Sequence, residues 1–231
     1  MILALDTATA ACSVALAAAS GDLLTERVEL EGPAHTRVLL RQVHEVLEET
    51  GATAGDVGTV LVGLGPGAFT GLRIGVATAR GLALAGDARL GGVPSLTALA
   101  LALAASPEGE AAERFVPLID ARRREVFAAC YERGAGGVRA RTPLAAVPSD
   151  DLEAYLEQFP GAVVGGDGAV LYAERVPRSA VAAGAVVAPT AAMALRAWLA
   201  GAEDCREGPA GVLPVYGREP DAVRWHERGP A

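Results

Sequence analysis

Two stretches of this sequence carry residue types that can hold a phosphate. The first is the turn Asp6-Thr7-Ala8-Thr9, which places a carboxyl and two hydroxyls directly after an apolar run. The second is the glycine-rich loop 63–71, whose backbone N–H groups can face an anion or another surface. Asp and Thr can instead end a strand by bonding to their own backbone. The residues alone leave both roles open.

The glycine loop matches neither standard phosphate-binding motif. It is not G-x-G-x-x-G followed by an acid, and it is not G-x-x-x-x-G-K-[ST]. All basic residues of the chain are Arg, which excludes a lysine nucleophile, a Schiff base and a phosphate-binding lysine. Phe69 in the middle of the loop favours packing, or the docking of a protein partner, over a phosphate cradle.

The histidines and cysteines do not have the spacing of a metal site or a peptidase. His35 and His44 are too far apart to share a helical face at ligand spacing, and His226 lies near the end of the chain. No G-x-S-x-G motif is present, and Cys12, in an apolar run, is expected to be a small core residue. We therefore expect no metal site. Three cysteines without a C-x-x-C pair indicate a reducing, cytoplasmic location.

The composition favours a chain that works with a partner. Its 231 residues suffice for one large domain or two small ones. The formal net charge of −8 argues against binding nucleic acid alone, because phosphate contacts dominate such affinity. Hydrophobic residues make up 51% and charged residues only 21%, which indicates an apolar interface. The apolar runs 72–85 and 95–105 are shorter than the roughly 20 residues of a membrane span.

Hydrophobic patterns predict the elements of the first half of the chain. The predicted strands are 2–6, 12–16, 23–28 and 60–64, and the predicted helices are 35–50, 72–85 and 95–105, with Ser95 as an N-cap. Helix 72–85 is apolar nearly all round, because Arg73 and Arg80 are its only charged residues. Two arrangements stay open. Helices 72–85 and 95–105 cover each other, or they form an intermolecular bundle with helix 35–50.

The second half of the chain is predicted to begin after a polar linker at 107–113. A hairpin of strands 115–120 and 125–131 carries Arg122-Arg123-Arg124 at its tip, either as a solvated turn or as a group that faces an anion. The remaining predicted elements are a helix at 152–159, a strand at 162–164 before a glycine turn, a helix at 190–199 and a final strand at 212–216.

The segment 65–75, G-P-G-A-F-T-G-L-R-I-G, resembles the hallmark G-P-G-S-F-T-G-L-R-I-G of the TsaB (YeaZ) family. The resemblance covers the whole chain, and its other matching segments are 2–9 with 12–16, 120–127, 165–168 and 214–218. The departures from the family pattern are Ala8, Ala68, Phe127 and Gly217. Ala68 replaces the usual Ser, which makes a hydroxyl dispensable at that position.

The resemblance implies an α/β fold of two lobes, the actin-like ATPase and sugar-kinase (ribonuclease H-like) fold, with mixed sheets and a shortened second lobe. We expect an N-terminal lobe at 1–106 that carries the partner-binding helices, and a C-terminal lobe at 107–204. The tail 205–231 is expected to pack back on the first lobe.

The resemblance also implies a function. The chain is expected to be a non-catalytic scaffold and activator that binds TsaD, with TsaE, for N6-threonylcarbamoyladenosine formation beside the anticodon of tRNAs that read codons beginning with A. TsaD holds the metal through an H-x-x-x-H motif, which this chain lacks. A homodimer is expected without TsaD, and tRNA contact only through the complex. The alternative is a stand-alone nucleotide-binding phosphohydrolase or kinase of the same fold.

Two sets of site residues follow from the resemblance. The expected partner-binding residues lie on the first two helices and are Val38, Leu39, Val43, Leu72, Arg73, Ile74, Val76, Ala77 and Arg80. The residues expected near a nucleotide are Asp6, Thr7, Thr9, Gly65, Gly67, Thr70 and Gly71. No cofactor is expected on this chain alone, and ATP or ADP is expected at an interface shared with the partner.

Overall fold

The computed structural model describes residues 1–30, 35–134, 137–183 and 186–218. One sheet is formed by β1 (Ile2–Asp6), β2 (Cys12–Ala17), β3 (Leu23–Glu29), β4 (Thr59–Gly63), β5 (Arg89–Val93) and β13 (Arg206–Glu207). A second sheet is formed by β6 (Arg114–Asp120), β7 (Glu125–Ala128), β8 (Tyr131–Gly134), β9 (Gly137–Ala140), β10 (Ala145–Pro148), β11 (Val163–Gly165) and β12 (Val181–Ala182). The helices are α1 (His35–Thr50), α2 (Phe69–Ala85), α3 (Ser95–Ala104), α4 (Leu152–Leu156), α5 (Asp167–Leu171), α6 (Ala191–Leu199) and α7 (Gly208–Gly211). Short 3-10 turns lie at 54–56, 107–109, 149–151 and 173–175.

The first sheet is mixed and has the order β13-β5-β4-β1-β2-β3. The predicted meander is confirmed, because β1 pairs antiparallel with β2 and β2 with β3. Strand β4 lies parallel to both β1 and β5, so the carboxyl ends of these three strands meet at one edge of the sheet. Asp6, Gly63 and Val93 are the last residues of those strands. In open α/β sheets such an edge is the usual place for a ligand.

The helices form layers on both faces of the two sheets. Apolar residues of α1 and α2 share one core with the first sheet, and those of α6 share another core with its opposite face. Helix α3 lies between the sheets, where it contacts α6 on one side and β6 on the other. Helix α4 covers the far face of the second sheet. The side of α2 that faces away from the first sheet is met in part by the segment after α7, because Tyr216 stacks on Phe69 and Arg80 donates to the carbonyl of Val212.

The central position of α3 corrects both arrangements predicted for helix 95–105. This helix neither covers α2 nor joins an intermolecular bundle, because its apolar residues are used inside the chain. Ser95 is not the N-cap either: Pro94 precedes the helix as its cap residue, and the Ser95 side chain is fully buried. An apolar helix can be buried on most of its sides within one chain when a second helix and a sheet enclose it.

Other predicted boundaries also need correction. Helix α2 begins at Phe69 rather than at residue 72, and α4 ends at Leu156 because hydrogen bonds of turn spacing replace the helix there. Strand β5 was not predicted, since its two glycines interrupt the apolar run. The predicted strand 125–131 is divided between β7 and β8, and the predicted strand 212–216 lies outside the sheet, without regular secondary structure.

The chain returns to the first lobe before the predicted boundary at residue 204. Helix α6 already packs on the first sheet, and β13 then pairs antiparallel with β5. The following segment Val212–Arg218, which we call the C-terminal strap, begins in the core of the first lobe at Val212. It ends at the β6–β7 hairpin of the second lobe, where Arg218 contacts Glu125. Residues 219–231 of the predicted tail lie outside the described residues.

Candidate functional site

Asp6 lies at the centre of a buried hydrogen-bond network at the strand-end edge of the first sheet. Its Oδ1 accepts a hydrogen bond from the backbone N–H of Ala8 at 2.9 Å, and its Oδ2 accepts one from the Ser95 hydroxyl at 3.2 Å. The Ser95 Oγ in turn accepts from the N–H of Gly65, also at 3.2 Å. Burial raises the pKa of the Asp6 carboxyl to about 7, against the opposing effect of the two hydrogen bonds. The network joins the Asp6 turn, the glycine loop and the start of α3.

The glycines of the loop allow it to lie directly against the Asp6 turn. A Cβ at Gly63 would overlap the Asp6 carboxyl, and a Cβ at Gly67 would overlap the backbone carbonyl of Ala8. That carbonyl accepts a hydrogen bond from the N–H of Ala68 at 2.7 Å. The hydroxyl of Thr7 donates to the carbonyl of Gly71 at 2.8 Å. The close approach that glycine permits is therefore made by another part of the same chain.

The structure brings the seven residues expected near a nucleotide together, but it packs most of them against one another. The buried members are Asp6, Thr7, Thr9, Gly65 and Gly71. Gly67 is half-buried and Thr70 is exposed. In this conformation both carboxyl oxygens of Asp6 have donors from the chain, and the crevice at the strand ends is filled by the loop.

The three cysteines lack the activated thiol that a peptidase nucleophile needs. Burial raises the pKa of each thiol, at Cys12, Cys130 and Cys205, to about 11, so little thiolate is present at neutral pH. No group of three or more His, Cys, Asp and Glu could hold a metal ion within the described ranges, which do not include His226. Among the helices that are described, none is long and apolar enough to cross a membrane.

The residues expected to bind a partner divide into a buried and an accessible set. Leu39, Val43, Leu72 and Val76 lie in the chain's own core, so their assignment as direct contacts is wrong. They face the sheet because the apolar stripe of each helix serves this core first. The accessible members are Arg73 and Ala77, which are exposed, and Val38, Ile74 and Arg80, which are half-buried.

The exposed side of α2 contains apolar residues outside the predicted set. Leu84 is 87% exposed, and Phe69 and the α1 residue Leu40 are each 54% exposed. Helical spacing puts Phe69, Arg73, Ala77, Gly81 and Leu84 on one face of α2, which we call the outer face. These residues are spaced four, four, four and three positions apart, a helical periodicity from which the sequence could have predicted this face.

The C-terminal strap covers the start of the outer face. The ring of Tyr216 lies 5.3 Å from that of Phe69, and the Arg73 guanidinium lies 3.9 Å from the Phe69 ring centre. Arg73 Nε also donates to the Tyr216 hydroxyl at 3.2 Å. Further along, the guanidinium of Arg80 donates to carbonyls at the beginning of the strap and in α7. Tyr216 lies in the segment 214–218 that matches the family pattern, but its contact with Phe69 had no sequence signal, because the two residues are 147 positions apart in the chain.

The hairpin tip Arg122-Arg123-Arg124 has an unusual backbone. All three residues have left-handed conformations, with φ of 60°, 56° and 60°. This region costs a residue with a side chain roughly 1 kcal/mol or more. Asp120 supports the tip by accepting from the N–H of Arg122 at 2.8 Å and by pairing with its guanidinium at 3.2 Å.

Asp167 holds the base of the hairpin through a hydrogen bond to Asp120. Its Oδ1 accepts a hydrogen bond from the N–H of Asp120 at 3.0 Å. Burial, together with the charge of Asp120, raises the pKa of Asp167 to about 6. The glycine turn of the second lobe is thereby bonded to the base of the hairpin.

The sequence is similar to a known protein family and to named proteins. A family model described as "TsaD: tRNA N6-adenosine threonylcarbamoyltransferase" matches residues 29–150. The tRNA threonylcarbamoyladenosine biosynthesis protein TsaB of Escherichia coli is 39% identical over 137 residues. That alignment covers 59% of this chain and 57% of the relative, so it spans little more than half of the relative's length.

Two solved structures extend the comparison. YeaZ from Pseudomonas aeruginosa is 33% identical and superposes with a TM-score of 0.74, over 93% of this chain and 98% of that one. The ethanolamine utilization protein EutJ from Carboxydothermus hydrogenoformans, at 10% identity and a TM-score of 0.52, shares only the fold; it covers 84% of this chain and 88% of its own. The fold predicted from the resemblance, that of the actin-like ATPases, is confirmed, and the chain belongs to the TsaB (YeaZ) family.

Proposed function

We propose that this chain is the non-catalytic scaffold and activator subunit that binds TsaD, with TsaE, in the formation of N6-threonylcarbamoyladenosine. The modified adenosine lies beside the anticodon of tRNAs that read codons beginning with A. The name of the Escherichia coli relative and the match of residues 29–150 to the TsaD family model support this role. The observation that carries it is the outer face of α2, which the strap meets only at its start and which stays exposed at Ala77, Gly81 and Leu84.

The outer face has the composition of a protein interface. Leu84 and Phe69 supply apolar area, Arg73 supplies a guanidinium stacked on an aromatic ring, and aromatic and Arg side chains are the commonest anchors of interfaces. Ala77 and Gly81 between them are small, so the backbone of a partner helix can approach closely. The core residues beneath hold α2 against the sheet and present this face.

The filled strand-end edge supports a non-catalytic role. The carboxyl and hydroxyl groups of Asp6 and Thr7 are bonded within the chain, and the alternative of a stand-alone phosphohydrolase or kinase gains no support from them. ATP or ADP at the interface shared with TsaD stays a prediction. Three further expectations also stay predictions: a homodimer without TsaD, contact with tRNA only within the complex, and a cytoplasmic location.

The exchange Ala77→Arg is expected to disrupt the complex with TsaD. A long cationic side chain in the centre of the outer face prevents close approach of a partner helix, and we expect the dissociation constant to rise at least roughly thirty-fold, equivalent to about 2 kcal/mol. Isothermal titration calorimetry of this chain with TsaD measures the effect. Ala77 is exposed, so the exchange leaves the core intact.

Ala154→Arg provides the matched control. Ala154 is an exposed alanine of α4, in the outer layer on the opposite side of the molecule. The same exchange there is expected to leave TsaD binding unchanged, and the circular dichroism of both variants should equal that of the wild type. Equal affinities of the two variants for TsaD would show that the outer face is not the interface.

A further inference from the structure

The hairpin tip carries three consecutive Arg residues on a backbone of unusual shape. Arg122, Arg123 and Arg124 are all exposed, although each adopts a backbone conformation that favours glycine or asparagine. A turn that only needs to reverse the chain has no use for three arginines in that conformation. The side chains themselves therefore require an explanation.

Backbone hydrogen bonds hold the tip in this shape. The N–H of Ala121 donates to the carbonyl of Glu125 at 3.0 Å, and the N–H of Ser149 donates to the carbonyl of Arg124 at 2.7 Å. The carbonyl of Arg122 accepts from the N–H of Glu125 at 3.1 Å and from the guanidinium of Arg218 at 3.3 Å. The second lobe and the C-terminal strap both contribute to these bonds. A strained turn bonded from several sides keeps its shape when a ligand binds.

A further cation, Arg175, adjoins the tip. Asp150 pairs with Arg124 at 3.1 Å and with Arg175 at 3.2 Å, so one carboxylate serves two guanidinium groups. The side chains of Arg122, Arg124 and Asp150 are 69%, 73% and 65% exposed. Ion pairs this exposed contribute little and exchange readily, so a phosphate can replace a carboxylate as the partner. Guanidinium groups match the geometry of phosphate oxygens and can bind them with two parallel hydrogen bonds.

The C-terminal strap places the tip next to the proposed TsaD interface. Tyr216 of the strap stacks on Phe69 at the start of the outer face, and Arg218 contacts Glu125 at the base of the tip. Two residues of extended chain span at most about 7 Å. The tip therefore lies close to the start of the face on which we propose that TsaD docks, and it can reach a nucleic acid that the partner holds at this end of the face.

We propose that the tip Arg122-Arg123-Arg124 binds the sugar–phosphate backbone of the tRNA within the complex. The inference rests on the proposed function, because the net charge of −8 makes the chain alone a poor ligand for RNA. The contacts are to phosphates and carry no sequence information. The tip positions the tRNA, while the partner holds the adenosine.

The test compares two double variants in the complex with TsaD. Arg123→Gln/Arg124→Gln removes two cations from the tip. Arg139→Gln/Arg141→Gln removes two exposed cations at or just after β9, on the hairpin that pairs with the opposite end of β6. Fluorescence anisotropy measures the affinity of each complex for unmodified tRNA between about 50 and 200 mM KCl.

The tip variant is expected to bind tRNA roughly ten-fold more weakly at the lowest salt concentration, with a slope of log K against log salt shallower by about 2. Arg123→Lys/Arg124→Lys retains the charges and is expected to retain most of the slope. Equal affinity and slope for the tip and β9 variants would overturn the inference. Calorimetry of each chain with TsaD, without RNA, comes first: if the wild type does not bind TsaD, the proposed function fails and the inference fails with it.

Discussion

Asp6→Asn is expected to stabilise the protein at neutral pH. The wild-type carboxyl must ionise inside the folded protein, where burial raises its pKa from 3.8 to about 7. This rise corresponds to about 4 kcal/mol of lost stability once both the folded and the unfolded states are ionised. An amide has no charge to bury, and it can still accept from the Ala8 N–H and donate to the Ser95 Oγ. We therefore expect a gain of up to about 4 kcal/mol in the free energy of unfolding above pH 7.

The pH dependence of that gain has a defined sign. Below about pH 4 the carboxyl is protonated in both states, and the variant has no electrostatic advantage. Between pH 4 and 7 the unfolded wild type releases its proton while the folded wild type keeps it, so the wild type loses stability as the pH rises. Urea unfolding of both proteins across this range measures the difference. Asp22→Asn, in an exposed turn, is the control and should change stability by less than about 0.5 kcal/mol. A gain for Asp6→Asn that does not vary with pH would contradict the account.

Gly67→Ala is expected to destabilise the fold by about 3 kcal/mol or prevent folding. The added methyl group would overlap the backbone carbonyl of Ala8, and that carbonyl is fixed by the hydrogen bond from Ala68. A backbone atom cannot move aside as a flexible side chain can, so the exchange reaches the upper end of the usual cost of overpacking. Thermal and urea unfolding measure the loss.

Gly81→Ala is the matched control for this exchange. Gly81 lies within α2, and an added Cβ there meets no atom within 4 Å. Alanine is the better helix former, so the same substitution should raise the free energy of unfolding by about 0.5–1 kcal/mol. If Gly67→Ala were as stable as Gly81→Ala, the loop would not be packed against the Asp6 turn as described.

The sequence predicted the elements whose signals are local. Helix α1 has the predicted bounds, because its apolar stripe ends at Gly51, which adopts the left-handed conformation of a helix C-cap. Helix α2 begins earlier than predicted because Ala68 offers no side-chain cap and Gly71 weakens the helical pattern. The two glycines of β5 concealed a strand of the first sheet. Glycine is needed at these positions because Leu61, Leu64 and Trp198 of other elements lie where a Cβ would be.

The candidate site was harder to predict because it depends on long-range contacts. Periodicity showed that α1 and α2 are strongly apolar, but it did not show that Leu39 and Val76 pack in the core of the first sheet while Leu84 points outward. The sequence showed that the glycine loop matches neither standard phosphate motif, but it did not show the loop's contact with Ala8, which lies about 60 positions away in the chain. Ser95 was predicted to be a helix cap, although its hydroxyl donates a hydrogen bond to Asp6. Each of these errors concerns a residue whose role is set by another part of the fold.

The most direct test of the central claim is the formation of N6-threonylcarbamoyladenosine on unmodified tRNA in a reconstituted reaction. TsaD, TsaE, ATP and the threonylcarbamoyl donor are supplied with this chain, without it, or with its Ala77→Arg variant, and the modified nucleoside is quantified by mass spectrometry. The account predicts product when TsaD and this chain are both present, little product without the chain or with the variant, and none from the chain without TsaD. Product formed by this chain without TsaD, or equal product from TsaD with and without the chain, would contradict it.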